Sequence, residues 1–194
     1  MTPPSSSYTV ENVEALEALY PQPSRSVTLK VIDHLDAHLR QALALSPLFF
    51  LATASAAGQL DCSPRGDAGT SVQVLDDHTL LLPDRPGNNR LDSLHNIVQN
   101  PEVGLLFLLP GVNEVIRVNG HARVSTDPAL IERFGPDGRP PRSVVVIRVR
   151  EAFMHCPRAF QSAQLWNPER HLERGQGPDF AAMYETDKRL NTEG

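Results

Sequence analysis

Apolar and polar positions alternate in two rhythms along this chain, and the change comes at Ser46-Pro47. Before it the spacing is helical. Val13, Leu16 and Leu19 recur every three residues and predict a short helix over 11–20, ended by Pro21 and Pro23. Val27, Val31, Ile32, Leu35, Leu39, Ala42 and Leu43 fall on one apolar arc of a helical wheel, with Lys30, Asp33, Asp36 and Arg40 opposite, and predict one longer helix over 26–45. After Pro47 the period drops to two. Runs at 48–53, 59–63, 71–75 and 79–82, with turns at Ala57-Gly58 and Asp76-Asp77, predict a meander.

Asn88 or Asn89 then caps a short helix with Leu91, Leu94, Ile97 and Val98 at helical spacing, stopped by Asn100-Pro101. Strands resume at 102–109, 114–125 and 143–150, Asp127 caps a helical turn, and the tail over 179–190 reads as helix. Asn119-Gly120 reads by default as a tight hairpin turn, and a glycine bulge that bends one long strand is the competing reading. Six or seven antiparallel strands with one inserted helix and helices at both ends predict a mainly β barrel with peripheral helices.

At 194 residues the chain has room for one medium-sized domain. That domain is expected over 11–166. It lies between a Pro- and Ser-rich segment, 1–10, expected to be mobile, and an extension, 167–194, with its own helix. The net charge of −5 gives no basic excess for nucleic acid or an anionic membrane. No apolar run reaches the roughly 20 residues of a membrane span. No secretion signal opens the chain and only Cys62 and Cys156 occur, so a soluble protein of the reducing cytoplasm is expected. Sixteen of the eighteen cations are arginine, which fits either a bidentate anion site or a GC-rich genome.

Two segments carry candidate chemistry. In PDRPGNNRLDSL, residues 83–94, a strand turns on Pro86-Gly87 into a helix start bearing Asn88, Asn89 and Arg90, where free amides, carboxamides and a guanidinium form an anion-binding corner. An Asn-capped helix with a solvated Arg is the plainer alternative. In SPRGD, residues 63–67, Ser63 and Arg65 stand beside Gly66, where a small residue admits a ligand to the backbone; the alternative is a strand-end turn with an Arg65–Asp67 ion pair. His34 and His38 have zinc-ligand spacing without the acidic partner of HExxH, and His155 and Cys156 are adjacent and so point apart if extended; packing roles are expected and no metal. No nucleophile elbow, phosphate-binding P-loop or dinucleotide fingerprint is present in the sequence.

In their order, SPLFFLAT, AGQLDCSPRGD, LDDHTLLLPDRPGNNRLDSLHNIVQNPEVGLLFLLPG and EVIRVNGHARV resemble the pyridoxamine 5′-phosphate oxidase class of FMN-binding split-barrel proteins over about 25–166. HCPRAFQSAQLW at 155–166 narrows the resemblance to a subgroup of FMN-dependent enzymes. The resemblance implies a six-stranded antiparallel split β-barrel and a homodimer with two FMN molecules at its interface, and it decides Asn119-Gly120 as a bend in one continuous strand of the curving wall. It also implies phosphate contacts from Arg65, Asn88, Asn89 and Arg90, and a flavin ring facing Leu82, Pro83 and Asp84. Arg117 would be presented to the partner's flavin, and Trp166 would close the site. Where the classical oxidase has a further basic residue and a C-terminal Arg-x-His, this chain has Ala68-Gly69 and no such motif, so vitamin B6 oxidation is not expected. The function implied is an FMN-dependent oxidoreductase acting between reduced nicotinamide or a small molecule and an acceptor. Alternatives are a flavin carrier or sensor, or a barrel that takes deazaflavin or haem.

Overall fold

The computed structural model describes residues 8–68, 71–135 and 140–192, so most of the segment expected to be mobile, 1–10, and Gly69 lie outside the described residues. The chain forms one mainly β antiparallel sheet with flanking helices. Among the described residues the sheet has seven strands: β1 (Leu48–Ala54), β2 (Leu60–Gly66), β3 (Gln73–Asp76), β4 (Thr79–Asp84), β5 (Glu102–Leu108), β6 (Val115–Ser125) and β7 (Ser143–His155). Their order is β2-β1-β5-β6-β7-β4-β3. The strand count therefore exceeds the six that the resemblance implies. The seventh is β3, which flanks β4 on the side away from β7 and joins it by a hairpin turned at Asp77-His78, one residue beyond the expected Asp76-Asp77.

The sheet curls around its core. Phe49 and Leu51 of β1 share one buried cluster with Leu80 and Leu82 of β4, although the two strands are not hydrogen-bonded neighbours. Phe107 of β5 stacks obliquely on Phe49 with ring centroids 5.0 Å apart, and Val118, Ile147 and Val149 complete the wall. β4 is buried on both faces, because its outward Leu81 joins Val144, Val146 and Phe134 under the short helix α5 (Pro128–Glu132). Asp127 caps that helix as expected, accepting from the Ala129 amide at 2.9 Å.

The single helix expected over 26–45 is absent. In its place are α2 (Arg25–Leu29) and α3 (Ala37–Ala44), which follow the isolated α1 (Val13–Glu17). Between α2 and α3 the backbone leaves the helical path to pair with the sheet: the Ile32 amide donates to the Ala152 carbonyl at 3.1 Å and the Ala152 amide returns a bond at 2.7 Å. Asp36 then restarts the helix by accepting from the Leu39 amide at 2.8 Å. Only the α3 half of the arc and the neighbouring Leu35 enter the core, through Leu35, Leu39 and Leu43, while Val27 and Leu29 stay exposed.

β6 is one continuous strand through Asn119-Gly120, as expected, and the register shifts there. The additional residue is supplied by β7: Asn119 faces Glu151, Gly120 faces Val149, and Arg150 is left over. The inward positions of β7 accordingly change from Val145, Ile147 and Val149 to Ala152. At the C-terminus α6 (Arg158–Ala163) and α7 (Phe180–Thr192) follow the sheet, α7 where a helix was expected. Among the described residues no helix is long and apolar enough to cross a membrane.

Candidate functional site

On the edge strand β2, alternation turns Asp61, Ser63 and Arg65 to the same side as the core, Arg65 lying opposite Phe49 in the register. α4 (Asp92–Gln99) packs its first turn against them. The Ser93 hydroxyl, 2% exposed, donates to Asp61 Oδ2 at 2.5 Å and accepts from Arg65 Nη2 at 2.8 Å, with the Ser63 hydroxyl 3.1 Å away. Arg65 Nη1 stands 3.9 Å from Asp84 Oδ1 at the end of β4. Its Nε is buried and has no hydrogen-bond partner. The plainer alternative of an Arg65–Asp67 pair is not what forms: Asp67 is held by Arg85 at 2.5 Å.

The loop from β4 to α4 differs from the expected Asn-capped start. Helical geometry begins only at Asp92, and the position before it is Leu91, with φ of 41° and no side-chain cap. Asn89 is also left-handed, at φ of 57°, a conformation that Asn tolerates but a branched aliphatic such as Leu adopts only under constraint. The Asn88 side chain accepts from the Arg90 amide at 3.0 Å, tightening the loop instead of capping the helix. Arg90 is exposed and paired with Asp92 at 2.5 Å, a bond that pushes the guanidinium further above its ordinary value.

These segments enclose a cleft of about 470 Å³ with four arginines on its walls, Arg65, Arg85, Arg90 and Arg142. Sequence reasoning did not single out Arg142, Ser93 or Asp61. Arg142 is delivered by register: Asp84 pairs with Ser143, so the preceding residue reaches the β4 end, where its amide bonds the Asp84 carbonyl at 3.2 Å and its guanidinium approaches Asn89 Oδ1 at 3.4 Å. A second cleft of about 310 Å³ shares Arg65, Asp84, Pro86 and Gly87 with the first and is floored by Phe49, Leu51, Leu82 and Val145. Leu82, Pro83 and Asp84 thus line an apolar slot beside a cationic one. Gly66 borders the second cleft, but the close approach its missing Cβ permits is to the Pro47 carbonyl, 3.2 Å from where that Cβ would stand. Arg117 and Trp166 are not brought to either cleft: Arg117 lies on β6 over the Phe153 ring, and Trp166 donates to the Val112 carbonyl at 2.8 Å.

Burial pushes the Asp84 carboxyl above its ordinary value of 3.8, against the pull of Arg65 and Arg142. The folded chain therefore holds this proton more tightly than the unfolded chain, and stability falls as pH rises from 3.8 through the raised folded value. Asp84→Asn should raise stability at pH 7 and leave it unchanged below the unfolded pKa; urea unfolding at pH 7 and pH 3 checks this, and a less stable variant at pH 7 would refute it.

Solved structures share the fold. HupZ from Group A Streptococcus is 20% identical with a TM-score of 0.52, the match covering 61% of this chain and 92% of that one. A Lactobacillus delbrueckii protein assigned provisionally as a pyridoxamine 5′-phosphate oxidase is 22% identical with a TM-score of 0.51, covering 63% of this chain and 95% of that one. No curated protein matches the sequence. The family model of pyridoxamine 5′-phosphate oxidase matches residues 35–156, more than half the chain and all of the β-sheet, and the chain belongs to that family.

Proposed function

We propose that this protein binds FMN, with the phosphate at Arg65 in the cationic cleft and the ring against the apolar slot, and acts as an FMN-dependent oxidoreductase. The observation that carries the reading is the buried, unpartnered Nε of Arg65, a residue that lines both clefts. A buried donor without an acceptor is costly, and a phosphate oxygen would satisfy it while taking charge from the neighbouring guanidinium edge. Asn88, Asn89, Arg90 and Arg142 would close the anion side. When bound, the flavin would supply the electron transfer, between reduced nicotinamide or a small molecule and an acceptor. The chain's own part is to hold the phosphate, orient the ring on Leu82 and Pro83, and keep water from its buried face.

No histidine, cysteine or tyrosine lines either cleft among the described residues, which favours a flavin carrier or sensor as the second reading. The visible spectrum of protein purified without added cofactor tests the cofactor: flavin bands support FMN or a deazaflavin, told apart by their different maxima, and a Soret band would point to haem. Bleaching by NADH or NADPH separates the enzyme from the carrier. Cytoplasmic location stays part of the proposal, with both cysteines free. The curled sheet is the split barrel of the family, and vitamin B6 oxidation is not its activity, since Ala68-Gly69 lies near the place where the classical oxidase carries a basic residue.

A homodimer completes the reading. On the outer face of the sheet one register row runs Pro64, Phe50, Leu106, Arg117, Phe153 across five strands, with Phe50, Leu106 and Phe153 only half-buried in the single chain. Symmetric pairing would cover that row and bring Arg117 toward the other subunit's flavin. Light scattering should report twice the 21.3 kDa chain mass at micromolar concentration, with an interface above about 2,000 Å² in total; one chain mass with flavin bound would remove both the dimer and the role of Arg117.

A further inference from the structure

The Arg65 guanidinium is tethered from one side and contested from the other. Asp84, 3.9 Å from Nη1, is a carboxylate within reach of a two-pronged pair that would occupy the donors a phosphate needs. The opposing tether runs through Ser93 to Asp61 and is directional. A serine hydroxyl has one proton and two lone pairs, and an ionised carboxylate only accepts. The Ser93 proton therefore goes to Asp61 at 2.5 Å, which leaves lone pairs facing Arg65 Nη2 at 2.8 Å and the Ser63 hydroxyl at 3.1 Å. With Nη2 committed to Ser93, the guanidinium cannot turn to grip Asp84 with both prongs, and Nε stays without a partner.

We propose that Asp61 and Ser93 are positioning residues that hold Arg65 off Asp84 and keep its Nε–H free for the ligand phosphate, an inference that rests on the phosphate reading above. Replacing Ser93 by alanine removes the acceptor for Nη2. Asp61→Asn keeps the shape but replaces the carboxylate that fixes the Ser93 proton by a carboxamide, whose NH2 can donate to the Ser93 oxygen and compete with Arg65 for its lone pairs. Ser93 also ties α4 to β2, so a merely structural role has to be distinguished.

The test compares FMN with riboflavin, which lacks the phosphate, by fluorescence titration of the full chain. Ser93→Ala and Asp61→Asn should each weaken FMN about 5- to 10-fold and leave riboflavin within about twofold. Ser93→Thr, which retains the hydroxyl, should keep the parent's FMN affinity, and in an Arg65→Ala background neither change should weaken FMN further. Equal losses for both flavins, or a loss that persists without Arg65, would overturn the positioning role. So would unchanged FMN affinity in a parent that prefers FMN to riboflavin. A parent that binds the two flavins equally would overturn the phosphate reading and this inference with it. Asp61→Asn, nearly isosteric, keeps the test decisive if Ser93→Ala does not fold.

Discussion

An Arg65→Ala variant should bind FMN roughly 10- to 150-fold more weakly than the parent, the range for losing a charge-assisted hydrogen bond. Arg90 and Arg85 already have carboxylate partners, Asp92 and Asp67, and Arg142 approaches Asn89, whereas Arg65 lines both clefts and has a buried donor, Nε, without a partner. Arg65→Lys should recover only part of the affinity, because an ammonium carries the charge without the planar fork. Fluorescence titration with FMN measures both variants. Affinity within twofold of the parent for Arg65→Ala would mean that the cationic cleft holds something other than the flavin phosphate.

Gly120→Ala should cost about 3 kcal/mol, the upper part of the range for overpacking a close contact. A Cβ at Gly120 would overlap the Arg148 carbonyl oxygen and lie 3.1 Å from the Ile147 methyl, and backbone cannot give way as a side-chain tip can. For a chain of this length the melting temperature should drop by about 6–12 °C. Calorimetry settles the matter. A drop under about 2 °C would show that the bulge relaxes around the new methyl.

Much of the sheet was readable from alternation alone: the inward Val118, Gly120 and Ala122 of β6 keep one parity across the Asn119-Gly120 bend, as a continuous strand requires. The break in the 26–45 helix was not readable, since it depends on a backbone pairing between Ile32 and Ala152, far apart in sequence. Asp36 was the one local sign, an N-cap residue in the middle of the span expected as one helix. The candidate site divides in the same way. Ser63 and Arg65 stood out in the sequence, whereas Asp61 did not, although alternation along β2 puts it on the same face as both. Arg142 and Ser93 reach the cleft only through register and helix docking, neither of which leaves a trace in local sequence.

Arg150 acts on β7 as an inserted base acts on a reading frame. Upstream of it the odd-numbered residues of the strand build the core; downstream the even-numbered Ala152 does, and the odd-numbered Glu151 and Phe153 face outward beside Arg117. One strand thereby encodes a wall of the core in its first two-thirds and a patch of the outer surface in the remainder. Were Arg150 paired like its neighbours instead of bulged out, the last third would fall out of frame, directing a carboxylate and an aromatic ring into the core and a methyl outward. The outer row that Arg117 and Phe153 share therefore survives because the bulge absorbs the one residue by which β7 exceeds its partner there.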